Sequence, residues 1–260
     1  MRLIKMQGLG NDYLYVYGEV PENAPELSRK LSDRHFGFGS DGMIYITPSK
    51  RADFGMRIFN ADGSEAKMCG NGIRCVGKYV FDKGYTDKTV VTVETLAGIK
   101  TLTLSVLDGA VETVTVDMGV AVVSPALDAG GQKVVPVDLG NPHAVSFTDT
   151  VPDDTGLKEK GSFLEKNPLF PGGVNAEFVT VLSPAALRMR VWERGSGITL
   201  ACGTGACASV AAAVANGYCP AGKPVKVTVD GGDLTVTVAG DGSVTMTGPA
   251  AFVYEGETLC

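Results

Sequence analysis

At 260 residues the chain is long enough for one large domain or two of about 130, and its 44% apolar and 20% charged residues are those of an ordinary folded protein. A net charge of -6 with scattered basic residues argues against nucleic acid as a partner, and no apolar run approaches the roughly 18 residues needed to span a bilayer. The opening stretch is broken at Gly8, Gly10, Asn11 and Asp12 before a signal-peptide core can form, so the reading is a cytoplasmic chain with a small-molecule partner and six cysteines kept as thiols.

In chain order, RLIKMQGLGNDYLYVYG turns at Gly8 to Asn11 and resumes as an alternating strand. Residues 25–35 read as a short helix opened by Pro25, after which GFGSDG leads into a strand, GMIYITPS. FGMRIF alternates as a strand and runs into the polar loop NADGSEAKMCGNG; Ile73, Val76, Tyr79 and Val80 then recur at helical spacing, so CGNG opens a helix. Strands follow near 89–95, 100–106 and 111–117. The second half repeats the plan: KVVPVDLGNPHAVSF matches the opening, FVTVL and LRMRVWE are strands, ACGTG opens a helix, and KVTVD, LTVTVA and SVTMT are strands.

The repeat is close enough to align without gaps. A shift of 133 positions lays Met56-Arg57-Ile58-Phe59 on Met189-Arg190-Val191-Trp192 and Cys69-Gly70 on Cys202-Gly203; Gly140-Asn141 stands 130 positions after Gly10-Asn11. The predicted fold class is therefore α+β, with two pseudo-symmetric strand-rich domains each wrapped around a central helix: residues 1–119 carrying Cys69 and 120–248 carrying Cys202.

Two equivalent thiols suit a reaction that takes a proton from one face of a carbon and returns it to the other, which is inversion of a stereocentre. A cysteine before glycines at a helix start faces N–H groups that have no internal partner, and these stabilise a thiolate or a substrate carboxylate. A helix end worth up to roughly 2 kcal/mol would bring a thiol of ordinary pKa near 8.5 to about half ionised at neutral pH. One sulfur would then serve as thiolate while the other serves as thiol.

Over essentially its whole length the chain resembles the diaminopimelate epimerase family. The resemblance rests on Gly10-Asn11-Asp12-Tyr13, RHFGFGSDG, FNADGSEAKMCGNGIRC, GNPH, GVNAEF, WERGSGITLACGTGACA, DGGDL and TGPAAFVYEG. It implies a cofactor-independent two-base isomerase that interconverts LL- and meso-2,6-diaminopimelate in lysine and peptidoglycan precursor synthesis. It further implies a homodimer, closure of the domains, and return of the C-terminal strand 249–260 to the first domain. Carried over by position, Cys69 and Cys202 are the acid/base thiols, and Gly70, Asn71, Gly203 and Thr204 hold the carboxylate at the reacting carbon. Asn11, Asn60, Asn141, Asn175, Glu193 and Arg194 bind the rest of the substrate. His143 and Glu193 stand at the family positions that adjust the thiol pKa values.

One position departs from the family: where many members carry glutamine after the aspartate of the GxGxDQ segment, this chain has Gly42. GFGSDG fits G-x-G-x-x-G but follows a helix and enters a strand, the reverse of a dinucleotide site. The cysteine spacings are not those of zinc ligands, so neither metal nor cofactor is expected. Two other readings stand beside the family one. A relative such as a proline racemase or hydroxyproline epimerase typically carries MCGHG where this chain has MCGNG, and a thiol redox protein would use Cys69 and Cys202 as a reversible disulfide.

Overall fold

A computed structural model of the chain describes residues 1–258; Cys260 and the last part of the predicted strand 249–260 lie outside the described residues. Backbone proximity divides the chain into two compact units, 1–116 with the segment from Gly248 onward, and 117–247.

The first unit opens with the hairpin β1 (Arg2–Gly8) and β2 (Asn11–Tyr17), in register with Gly8 opposite Asn11. Its turn puts Leu9 at φ 59° and Gly10 at φ 86°, a region costly for a leucine, and the Gly10 amide donates to Gln7 Oε1 at 2.9 Å to close it. Helix α1 (Ala24–Ser32) has Pro25 in its first turn. It stops short of the predicted residue 35 because Asp33 accepts the amides of His35 and Phe36, both at 2.7 Å, and so turns the chain away. There follow β3 (Gly42–Thr47), β4 (Phe54–Asn60), β5 (Glu65–Ala66), α2 (Gly70–Asp82), β6 (Val90–Thr95), β7 (Gly98–Leu107) and β8 (Ala110–Val120). Strands neighbour one another as β1-β2-β3-β4-β6-β7-β8, with β2/β3 and β4/β6 parallel and the other pairs antiparallel.

Period-two alternation decides what each strand residue touches. Met43 and Tyr45 pack with Leu31 of α1, whereas Ile44, between them, lies under α2: a Cβ added at Gly72 would come 2.6 Å from Ile44 Cδ1. Such fully buried aliphatic side chains are each worth about 1.5–3 kcal/mol.

The second unit repeats this plan with β9 (Val122–Val123), β10 (Leu127–Asp128), β11 (Lys133–Asp138), β12 (Pro142–Phe147), α3 (Asp154–Glu165), β13 (Asn175–Ser183), β14 (Ala186–Glu193), β15 (Gly197–Ile198), α4 (Gly203–Ala215), β16 (Pro224–Val229), β17 (Gly232–Val238) and β18 (Ser243–Pro249). Its neighbours run β9-β11-β12-β13-β14-β16-β17-β18, again with the second and fourth connections (β12/β13 and β14/β16) parallel among those that match the first unit. The short β10 adds to β11. Ala176 and Phe178 pack beneath α3 with Leu157 and Leu164, which turns Asn175 and Glu177 toward α4. Helix α3 is the counterpart of α1, and the sequence reading passed over it. The last strand, β19 (Ala251–Glu257), pairs antiparallel with β1. Among the described residues no helix is long and apolar enough to cross a membrane.

Candidate active site

Each unit holds one cysteine at the same structural position. Cys69 is the N-cap of α2, with extended backbone at φ -137° and ψ 116°, and its Sγ accepts the Gly72 amide at 3.3 Å. Cys202 is the N-cap of α4, with φ -117° and ψ 111°, and its Sγ accepts the Gly205 amide at 3.3 Å. Both helices are 13 residues long. Sulfur thus takes the place that a Ser or Asp oxygen usually fills, beside the positive end of the helix. The next two residues, Gly70 and Asn71 or Gly203 and Thr204, occupy the first turn, whose amides have no acceptor within the helix.

In the first unit, the Cys69 thiol lies 3.3 Å from Asn11 Oδ1. The Asn11 amide is held the right way round because its Nδ2 donates to Asp41 Oδ2 at 2.7 Å, and the Asp12 amide donates to the same oxygen at 3.0 Å. Arg34 joins Asp41 (3.0 Å) to Asp12 (2.9 Å), and Lys5 reaches Asp12 at 2.6 Å. Burial opposes ionisation of Asp12, but hydrogen bonds from Arg34 and Lys5 outweigh it and hold its pKa below the usual value. Burial, with the nearby Asp12 charge, raises Asp41 against the donors it receives. Asn60 is half-buried at the end of β4, with Nδ2 donating to Ser64 Oγ at 3.0 Å. A side chain at Gly42 would run into the Phe59 carbonyl oxygen, and its φ of +154° disfavours other residues, so this backbone has no room there for a side chain.

The second unit surrounds Cys202 differently. Thr204 Oγ1 lies 3.5 Å from Cys202 Sγ and accepts from Asn141 Nδ2 at 3.3 Å. Asn141 Oδ1 faces His143 Nε2 at 3.1 Å, and His143 Nδ1 faces Glu177 Oε1 at 2.7 Å. Both His143 and Glu177 have fully buried side chains. Glu193 accepts from Thr199 Oγ1 at 2.5 Å. Asn175 is buried and engaged at both ends, accepting the Arg194 amide at 2.9 Å and donating to the Pro142 carbonyl at 3.4 Å. Arg194 is exposed, with Nη1 on the Gly172 carbonyl at 3.0 Å.

The expectation of a half-ionised thiol fails at Cys202. Burial pushes this thiol well above its usual pKa, and the charges of Glu193 and Glu177 add to the rise; hydrogen bonds from Thr204 and Gly205 oppose it. A helix end offers about 1.5 pKa units, while full burial can cost 3–5 units, so burial wins. Cys75, also buried, is raised to about 11 for the same reason. The five described cysteines are all free thiols, and among the described residues no three or more His, Cys, Asp or Glu side chains gather to hold a metal ion.

Two residues at these centres escaped the sequence reading, Asp41 and Glu177. The signal for Glu177 was available: it is the single charge in the run Ala176–Val181, which is otherwise apolar but for Thr180, and a buried lone carboxylate implies a partner.

A family model described as diaminopimelate epimerase matches residues 3–124 and 135–253. The diaminopimelate epimerase of Acetivibrio thermocellus is 52% identical over 277 aligned positions, covering 99% of this chain and 98% of its own length. That of Phocaeicola vulgatus is 50% identical over 276, covering 99% and 98%. Among solved structures, a hydroxyproline epimerase from Agrobacterium vitis is similar with TM-score 0.76 at 20% identity, covering 99% of this chain and 90% of that one, a likeness of fold alone.

Proposed function

We infer that this chain, which belongs to the diaminopimelate epimerase family, interconverts LL- and meso-2,6-diaminopimelate without a cofactor, with Cys69 and Cys202 acting on opposite faces of the α-carbon. The observation that carries this reading is the matched pair of N-cap sulfurs, each accepting the third amide of its helix at 3.3 Å. One sulfur as thiolate removes the α-proton while the other as thiol delivers one, and the reverse reaction exchanges the roles. The negative charge that develops on the substrate carboxylate as the proton leaves is met by first-turn amides of Gly70, Asn71, Gly203 and Thr204, which favour the transition state over the ground state.

The remaining roles follow the resemblance and the local geometry. Asn11 accepts from Cys69 and so favours it as thiol; Thr204 stands where it can donate to Cys202. Arg194, exposed and with a fork suited to carboxylates, takes the distal carboxylate, and Asn175 sets it in place through the backbone. Glu193 pairs with an ammonium and, with His143, adjusts the thiol pKa values; Asn60 and Asn141 complete the substrate contacts. The enzyme works as a homodimer in the cytoplasm and supplies lysine and peptidoglycan precursor synthesis.

The test is to incubate reduced protein with LL-diaminopimelate, proline or hydroxyproline, without added cofactor, and resolve the stereoisomers. Formation of the meso isomer alone is the expected result. Inversion of proline or hydroxyproline instead would keep the chemistry and move the substrate, and inversion of none would refute the assignment. Light scattering at micromolar protein checks the dimer.

A further inference from the structure

The two units match in register, since Leu14 pairs with Met43 in the first and Ala144 with Ala176 in the second. Glu177 therefore occupies the place of Ile44, and His143 that of Tyr13. The match is steric as well. A Cβ at Gly72 would meet Ile44 Cδ1 at 2.6 Å, and a Cβ at Gly205 would meet Glu177 Oε1 at 2.6 Å. A carboxyl has replaced an isoleucine directly beneath the cysteine helix. Isoleucine there adds about 1.5–3 kcal/mol of stability, whereas a buried carboxyl costs several kcal/mol before its partners compensate. Stability does not account for the exchange.

We propose that Glu177 and His143 share a second proton, beside the one on Nε2, that sets the direction of the hydrogen bonds running through Asn141 and Thr204 to Cys202, which makes Glu177 a positioning residue for that thiol. The proposal rests on the reading that Cys202 is an acid/base group. Asn141 Oδ1 can only accept, so the proton on the 3.1 Å line to His143 Nε2 sits on the ring. The 2.7 Å line from Nδ1 to Glu177 then needs one further proton, on the ring or on the carboxyl. Either way the pair is neutral, and Asn141 turns its NH2 to Thr204 (3.3 Å), which frees the Thr204 hydroxyl hydrogen for Cys202 Sγ at 3.5 Å. That direction favours the thiolate.

Removing the shared proton reverses every step. The remaining ring proton moves to Nδ1 to meet the carboxylate, Nε2 becomes an acceptor, and the Asn141 amide turns over. Thr204 must then donate to Asn141 and can only accept from the Cys202 thiol, which favours the protonated sulfur. Burial raises Glu177 against the pull of His143, in keeping with a retained proton. The ionisable groups on elements packed here are His143 on β12, Cys202 and Cys207 on α4, and Glu193 on β14; Arg188 and Arg190 alternate to the opposite face of β14.

The chain has two histidines, His35 and His143, so ring-nitrogen NMR of the 15N-histidine-labelled full-length protein, assigned with His35→Gln, reads the proton positions directly. The expected result is a protonated Nε2 on His143 at neutral pH; a bare Nε2 with the proton on Nδ1 overturns the proposal. Alkylation of Cys202 by iodoacetamide at about pH 8, quantified by peptide mass spectrometry with Cys69 as internal reference, gives the second readout. Glu177→Leu leaves Nδ1 without a partner, so that the ring takes either tautomer and Asn141 either orientation, and is expected to slow alkylation about twofold; Glu177→Gln, whose amide can donate to Nδ1 and keep the proton on Nε2, is expected to leave it at the wild-type rate. Faster or unchanged alkylation in Glu177→Leu means that the carboxyl is only a repelling charge, and overturns the proposal. Labelling of buried Cys207 and Cys219 would reveal an unfolded Leu variant, and the wild-type spectrum then decides alone. Neither readout uses a substrate, so an error in the diaminopimelate assignment leaves both intact.

Discussion

Adding one methyl group at Gly205 tests how Glu177 is wedged under the Cys202 helix. In a helix interior Gly→Ala ordinarily stabilises by about 1 kcal/mol. At Gly205 the new Cβ would lie 2.6 Å from Glu177 Oε1 and 3.2 Å from Cys202 Cβ and Sγ, so the carboxyl must move. Overpacking of this kind costs about 1–3 kcal/mol, and a buried carboxyl drawn off His143 costs about 1–3 kcal/mol more. The net expectation is a loss of about 1–5 kcal/mol, or roughly 2–4 °C of melting temperature per kcal/mol for a chain of this size. Gly72→Ala is the control: its Cβ meets the mobile end of Ile44 at the same 2.6 Å and disturbs no polar group, so about 0–2 kcal/mol is lost. Calorimetric melts of the two variants beside the wild type measure the difference. A Gly205→Ala protein that melts at or above the wild type, or a Gly72→Ala protein that loses more, would refute the reasoning.

Replacing either Cys69 or Cys202 by alanine is expected to lower inversion by about 10²–10⁴-fold or more, followed by chiral separation of the product; the single Cys→Ser variants retain proton abstraction from one face. Asp41→Ala releases the Asn11 amide (2.7 Å), and loss of one charge-assisted hydrogen bond predicts a fall of about 10–100-fold in kcat/KM with Cys202 alkylation unchanged. Acid stability tests a third carboxyl: Asp53 is held to about 2, first by its hydrogen bond from Lys88 and then by Thr92. Because that lies below the unfolded value near 3.9, its contribution is present above about pH 4 and is lost as pH falls toward 2. Asp53→Asn should therefore flatten the fall in melting temperature over that range and change little of its slope above pH 5.

The doubled architecture was legible because the repeat is nearly gapless and each cysteine phrase marks a helix start. Helix α3 was not, since Gly156 and Gly161 interrupt its pattern; Gly161 is there because a side chain would strike Trp192, a contact made by residues distant in sequence. Its N-cap could have been read, as Asp153 accepts the Gly156 amide at 2.8 Å. The cysteines, Asn11, Asn141 and His143 were found from motif and offset, and they fall at the two centres. Glu177 and Asp41 were missed because a lone acidic residue in a strand or turn reads as solvent-facing until tertiary pairing brings Glu177 under α4 and Asp41 onto the Asn11 amide. The ionisation of Cys202 was misjudged for a related reason: a helix end shows in sequence, whereas the burial that overrides it depends on tertiary packing.

The central claim, one thiol for each face, is tested most directly in heavy water. Reduced protein is given LL-diaminopimelate and sampled before about a tenth has turned over, and deuterium at the α-carbon is measured separately in substrate and product. Two thiols predict one deuterium in each newly formed meso molecule and almost none in the recovered LL isomer, because the incoming proton comes from a sulfur other than the one that took the first. Meso product that keeps the substrate's own hydrogen would mean a single base serves both faces, and would contradict the account.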